Sequence, residues 1–186
     1  MTPYTIALFL HLVGATGLFV ALGLEWTSLA GLRRATAVEE ARTWLSVASP
    51  LRRLVPISMA ALLLAGLYLM AAGWGATPWV IAGVLSLLLI GDLGGALTGP
   101  RLARIGRAIG AESGPLSERL REGLRDPILW TSLRTRLGIV VGTVFVMTVK
   151  PDAVGSLLAL TAALALGLAS SVPALRRSRR AIARAA

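Results

Sequence analysis

Residues 54–91 form 38 consecutive positions without a single charged side chain. A hydrocarbon core about 30 Å thick is crossed by about 20 helical residues, so this run is too long for one membrane helix. The stretch "GWGATPW" divides it, with two glycines and a proline making a tight turn. The run therefore implies a hairpin of two transmembrane helices. Composition agrees: 55% of the 186 residues are hydrophobic, against roughly 45–50% in a soluble domain. A transmembrane β-barrel would need short alternating segments, and none are present.

Extending the same reasoning along the chain predicts a single all-α domain over residues 1–186, a polytopic transmembrane bundle of five spans. The spans are expected at 3–32, 54–72, 78–97, 127–149 and 153–172. Thr2-Pro3, Ser49-Pro50, Thr77-Pro78 and Asp126-Pro127 repeat one punctuation, a capping side chain followed by proline in the first helical position. Pro56 implies a kink or a late start in the second span. The first span has no basic residue ahead of it and exceeds an ordinary signal-peptide core, so it is expected to be retained.

The eighteen arginines decide orientation. Arg33, Arg34, Arg42, Arg52 and Arg53 separate spans one and two, and Arg101, Arg104, Arg107, Arg119, Arg121 and Arg125 separate spans three and four. Arg176, Arg177, Arg179, Arg180 and Arg184 lie in a basic tail at 174–186, while Arg134 and Arg136 enter the fourth span. The opposite side holds only Lys150. By the positive-inside rule the N-terminus lies outside and the C-terminus in the cytoplasm. The net charge of +10 then faces anionic lipid headgroups and not nucleic acid. Trp26, Trp44, Trp74, Trp79 and Trp130 fall near the predicted boundaries, as interfacial anchors do. The connector at 100–126 has apolar residues at helical spacing among arginines, which suits amphipathic helices on the cytoplasmic surface or a solvated linker.

Gly91, Gly95 and Gly99, then Gly138 and Gly142, then Gly155, Ala159, Ala163, Gly167 and Ser171 place small residues every fourth position on spans three to five. Such faces let helix backbones approach closely. They serve contacts within one bundle or a homodimer interface.

The polar residues inside the spans carry the functional signal, because a bilayer penalises them unless they are paired or face water. At about 1.5 Å per residue, His11 lies about 12 Å along the first span. It shares a face with Gly14, Leu18 and Glu25. Glu25, Asp92, Arg134 and Arg136 are expected to form an inner charge cluster, either an ion pair fixing helix registry or a proton or ion relay. Lys150 opens "KPD", where the helix stops and Asp152 can cap the next one. It snorkels to the headgroups or faces an outer cavity beside His11. His11 itself is a neutral imidazole bonded to a neighbouring helix, a haem axial ligand, or one ligand of copper or another metal.

With no cysteine and one histidine, disulfides, thiolate metal sites and cysteine nucleophiles are excluded. No glycine-framed serine or phosphate-cradling glycine loop is present.

"ALFLHLVGATGLFVALGLEW" in the first span and "LGIVVGTVFVMTVKPD" in the fourth resemble an uncharacterised family of bacterial integral membrane proteins, domain of unknown function 2269. A histidine in the first span and a Lys-Pro ending a later one are similar, more distantly, to the copper resistance protein D family and the HemJ-type protoporphyrinogen oxidases. The latter similarity implies haem b held at His11 and Lys150, and the former copper. The expectation drawn from residues and resemblance together is a non-catalytic binding or transport-type membrane protein with an outer polar site. A haem-dependent oxidoreductase and a structural or partner-binding subunit are the alternatives.

Overall fold

Thr2 opens the first helix reciprocally: its hydroxyl accepts from the Thr5 N–H at 3.2 Å, and the Thr5 hydroxyl accepts from the Thr2 N–H at 3.0 Å. From there, in a computed structural model that describes residues 1–171, every regular element is a helix. These are α1 (Pro3–Arg34), α2 (Val38–Ala48), α3 (Leu51–Leu69), α4 (Pro78–Asp92), α5 (Gly99–Ala111), α6 (Glu118–Leu124), α7 (Pro127–Val149) and α8 (Ala153–Ala169). Two widened π-helical segments, Met70–Trp74 and Leu93–Thr98, extend α3 and join α4 to α5. The five tail arginines and Val172 lie outside the described residues.

Four helical stretches, Pro3–Arg34, Val38–Trp74, Pro78–Ala111 and Glu118–Val149, the second interrupted at Ser49–Pro50 and the fourth at Arg125–Asp126, are long and apolar enough to cross a membrane. The protein is a multi-pass helical membrane protein. The fifth expected span corresponds to α8, an apolar helix of 17 residues. Leu64 and Leu166 are 67% and 72% exposed, members of an apolar exterior that suits contact with lipid.

The predicted hairpin is present. Gly75 turns it with φ +68°, a conformation open to glycine, and its N–H reaches back to the Met70 carbonyl at 2.8 Å. Other boundaries differ from the sequence reading. The third stretch does not end at residue 97, because Pro100 occupies the first turn of α5, where a missing N–H breaks no helical bond. Likewise α3 does not start late: it begins at Leu51 and runs through Pro56. Thr2 and Asp126 cap as expected, the latter accepting from the Ile128 N–H at 2.8 Å. The Thr77 hydroxyl, in contrast, is buried without a hydrogen-bond partner, and Ser49 ends α2 instead of starting α3.

Close backbone approach holds the bundle together. A Cβ on Gly14 would lie 2.9 Å from the Leu62 backbone nitrogen of α3, and one on Gly167 would lie 2.9 Å from the Arg134 carbonyl oxygen of α7. Gly138 and Gly142 meet Ala163 of α8 in the same way, so these small-residue faces are occupied within the chain. Gly95 faces open space.

At one end of the bundle, α2, α5 and α6 form a cap. Val38, Ala41, Ile105, Ile109, Leu120 and Leu124 are buried there with Leu29 and Leu32 of α1 in one core. The connector is thus a packed layer and not a solvated linker, since its apolar stripes find partners. Trp79 and Trp130, expected as interfacial anchors, are only 9% and 6% exposed. Both make aromatic contacts within the protein, Trp79 tilted against Trp74 and Trp130 edge-on with Trp26.

Candidate functional site

The polar residues of the spans assemble at two levels. At the inner level, Glu25 of α1 and Arg136 of α7 face each other because both lie on buried helix faces, each 5% exposed. The guanidinium engages the carboxylate through both terminal nitrogens, Nη1 to Oε2 at 2.9 Å and Nη2 to Oε1. Such a fork matches both geometry and charge. Nη2 also donates to the Thr98 hydroxyl at 3.1 Å, which donates to the Ser132 hydroxyl at 3.1 Å, which donates to the Leu93 carbonyl at 3.1 Å. Thr98 and Leu93 bound the π-helical segment, so the network ties that irregular turn to α7. Gly94 leaves the room that the guanidinium occupies, since a Cβ there would sit 3.3 Å from Nη1.

The expected four-member charge cluster is therefore a pair. Arg134 points away, donating to the Ser170 carbonyl at 2.5 Å and lying 5.5 Å from the Trp130 ring. Asp92 is exposed and has no ion-pair partner among the described residues. Adjacent positions on a helix diverge by about 100°, so two residues apart cannot both face the same partner. Thr98 and Ser132 were not singled out in the sequence; their only signal is a small hydroxyl in an apolar context.

At the outer level, the His11 ring lies against α3, where Gly66 makes room: a Cβ there would be 3.3 Å from Cε1. Nδ1 is 3.2 Å from the Leu62 carbonyl oxygen. A carbonyl only accepts, so Nδ1 carries the hydrogen, and in the neutral ring Nε2 holds the lone pair. This is the imidazole bonded to a neighbouring helix that the sequence offered as one reading. Trp74 and the imidazole meet edge to face with ring centres 5.9 Å apart, and the Trp74 indole N–H donates to the Tyr4 hydroxyl at 3.0 Å. This aromatic contact was hidden in "GWGATPW", which signalled a turn and interfacial tryptophans but no contact with His11.

His11 lines a cavity of about 270 Å³ between α1, α3, α4 and α7. Its walls are mainly leucine, valine and glycine, with Phe19, Trp74 and Met147. Thr143 and Thr148 also reach it, but their hydroxyls donate to the Ile139 and Val144 carbonyls of their own helix. Leu12, Phe19 and Val144 are exposed on the exterior as well, so the cavity opens sideways between α1 and α7.

Lys150 is not on this cavity. It ends α7 in a left-handed conformation, φ 53° and ψ 53°, and its Nζ lies 5.2 Å from the centre of the Trp79 ring. Trp74 and Trp79 stand between it and His11. Asp152 caps α8 as expected, accepting from the Gly155 N–H at 2.7 Å.

Among the described residues no three histidine, cysteine, aspartate or glutamate side chains cluster as a metal site. The residues present do not fit a haem either. Among the described residues no lysine or arginine lines the cavity to hold its propionates, and the imidazole Nδ1 is bonded to the Leu62 carbonyl. What the arrangement can do is accept hydrogen bonds inside a mainly apolar pocket, at the lining residues His11, Thr143 and Thr148.

The fold and the two levels of polar residues define a helical membrane protein with a lateral apolar cavity. Family models, curated proteins and solved structures offer no match to the chain.

Proposed function

We propose that this protein is a non-catalytic binding protein of a bacterial inner membrane, with five spans, the N-terminus outside and the C-terminus in the cytoplasm. Its ligand is a small lipophilic molecule with a hydroxyl head, taken up from the bilayer through the opening between α1 and α7. The observation that carries this reading is the orientation of His11. With Nδ1 engaged by Leu62, Nε2 keeps its lone pair, and His11 lines a mainly apolar wall on which the Thr143 and Thr148 hydroxyls have already given their protons to their own helix. A hydroxyl entering from lipid finds no water there and gains a hydrogen bond, which favours alcohols over alkanes and ethers of similar shape. The orientation is supported by arginines concentrated at the end capped by α2, α5 and α6 and by Lys150 at the hairpin end.

The test uses the full chain in nanodiscs and a brominated long-chain alkanol, read by quenching of tryptophan fluorescence. The alkanol should bind roughly three- to tenfold tighter than its methyl ether, as one hydrogen bond allows, and His11→Phe should abolish the difference. Equal binding of alcohol and ether to the native chain overturns the proposal.

A further inference from the structure

The capped end of the bundle holds a second, smaller pocket of about 140 Å³, lined by Leu32, Arg33, Arg34 and Thr36 together with Arg121 and Arg125. Two of these arginines end α1 and two belong to the α6 region, 87 to 92 positions later in the chain. A backbone clasp brings them together. The Val38 N–H donates to the Gly114 carbonyl at 3.0 Å and the Leu116 N–H to the Thr36 carbonyl at 3.4 Å, an antiparallel bridge between Ala37 and Pro115. The clasp lays α6 beside the end of α1, and Leu32 and Leu124, 1% and 4% exposed, give the pocket an apolar floor.

The electrostatics of this pocket are incomplete within the described residues. The ion pairs among the described residues are Arg42–Glu39, Arg101–Asp126 and Arg136–Glu25, and none involves Arg33, Arg34, Arg121 or Arg125. No acidic residue lines the pocket. Two neighbouring carboxylates are engaged elsewhere: Glu40 accepts from the Thr36 N–H at 2.9 Å and from its hydroxyl, and Asp126 accepts from the Ile128 N–H and from Arg101. Arg121 and Arg125 are also one helical turn apart, a spacing at which like charges repel. Four arginines line one small concavity, the Arg33 guanidinium lying over the Trp130 ring beside it, and such a cluster matches the several oxygens of a phosphate better than its members match one another. Arg33 lies 5.9 Å from the centre of the Trp130 ring, which sets the pocket at the end of the transmembrane core, where headgroups lie.

We propose that Arg33, Arg34, Arg121 and Arg125 form a binding site for a phosphate group, carried by an anionic lipid headgroup or by a free phosphate compound. Bridging the end of α1 to α6, the anion locks the cap onto the bundle. The site is separate from the His11 cavity and does not depend on it.

The test compares the full chain with Arg33→Gln/Arg121→Gln, and with Arg52→Gln/Arg53→Gln as a control that removes the same charge from exposed positions away from the pocket. Each is purified in a neutral detergent and offered equimolar phosphatidylglycerol and phosphatidylcholine, and retained lipid is counted by native mass spectrometry. The native chain and the control should prefer phosphatidylglycerol, and the pocket variant should lose at least roughly tenfold of that preference, as expected for two arginines at a headgroup. Arg33→Lys/Arg121→Lys keeps charge without the planar fork; it should fold and recover the preference only in part, which covers the case in which the glutamine variant fails to fold. Inorganic pyrophosphate is then added as competitor. Displacement of the lipid assigns the site to phosphate from either source, and retention assigns it to the lipid headgroup. Equal loss in pocket and control variants, or no preference in the native chain, overturns the proposal.

Discussion

Arg136 and Glu25 lie 111 positions apart in sequence and meet as a two-pronged ion pair with both side chains 6% exposed. The pair joins α1 to α7, and through Thr98 and Ser132 it reaches the π-helical segment between α4 and α5. Charge, hydrogen bonding and helix irregularity thus converge on one point. Arg136 Nε is buried there without a partner among the described residues, so the fork to Glu25 and the bond to the Thr98 hydroxyl together compensate for desolvating the guanidinium.

Removing one partner should be far worse than removing both. Arg136→Met leaves the Glu25 carboxylate buried without its partner and is expected to cost about 3–5 kcal/mol, while Glu25→Gln/Arg136→Met together should cost much less. Reversible unfolding in mixed micelles of the native chain, both single variants and the double variant gives the coupling energy directly. Additive costs would show that the pair contributes no specific stabilisation.

Glycines of similar sequence context should differ sharply in tolerance. Gly138→Val directs a branched side chain at the Ala163 carbonyl of α8 and is expected to destabilise by about 1–3 kcal/mol, the usual range for overpacking. Gly95→Ala enters open space and should stay within about 0.5 kcal/mol of the native chain. Thermal denaturation in detergent separates the two.

Gly114 should resist substitution for a backbone reason. Its φ of +79° lies in the region that costs an L-residue about 1–2 kcal/mol, and its carbonyl holds the Val38 N–H. Gly114→Ala is therefore expected to loosen the cap by about that amount. Hydrogen exchange at Val38 and Leu116 should quicken while the amides of α7 stay protected.

The absence of cysteine makes topology directly measurable. In spheroplasts a membrane-impermeant maleimide should label Ala76→Cys, in the hairpin turn, and should reach Ser113→Cys, in the clasp loop, only after permeabilisation; both positions are exposed. The opposite labelling pattern would invert the orientation.

The sequence determined the features that depend on local chemistry. A charge-free run of 38 residues broken by "GWGATPW" dictates a membrane hairpin whatever surrounds it. The helical period alone places His11, Gly14, Leu18 and Glu25 on one face, of which Gly14, Leu18 and Glu25 are buried. The small-residue spacing of spans four and five was equally legible, because close approach leaves its mark on every fourth position.

Tertiary structure decided which faces meet. A helix fixes the angles among its own residues but not its rotation or axial shift against a neighbour, and those are set by packing across the whole interface. Hence Arg136 joined Glu25 while Arg134, two residues earlier, turned to Ser170, and Lys150 settled on Trp79 instead of the His11 cavity. The two arginine pairs of the cap were visible as charges in the sequence. Only the Ala37–Pro115 bridge made them one pocket, since a contact between loops about eighty residues apart leaves no local periodicity to read.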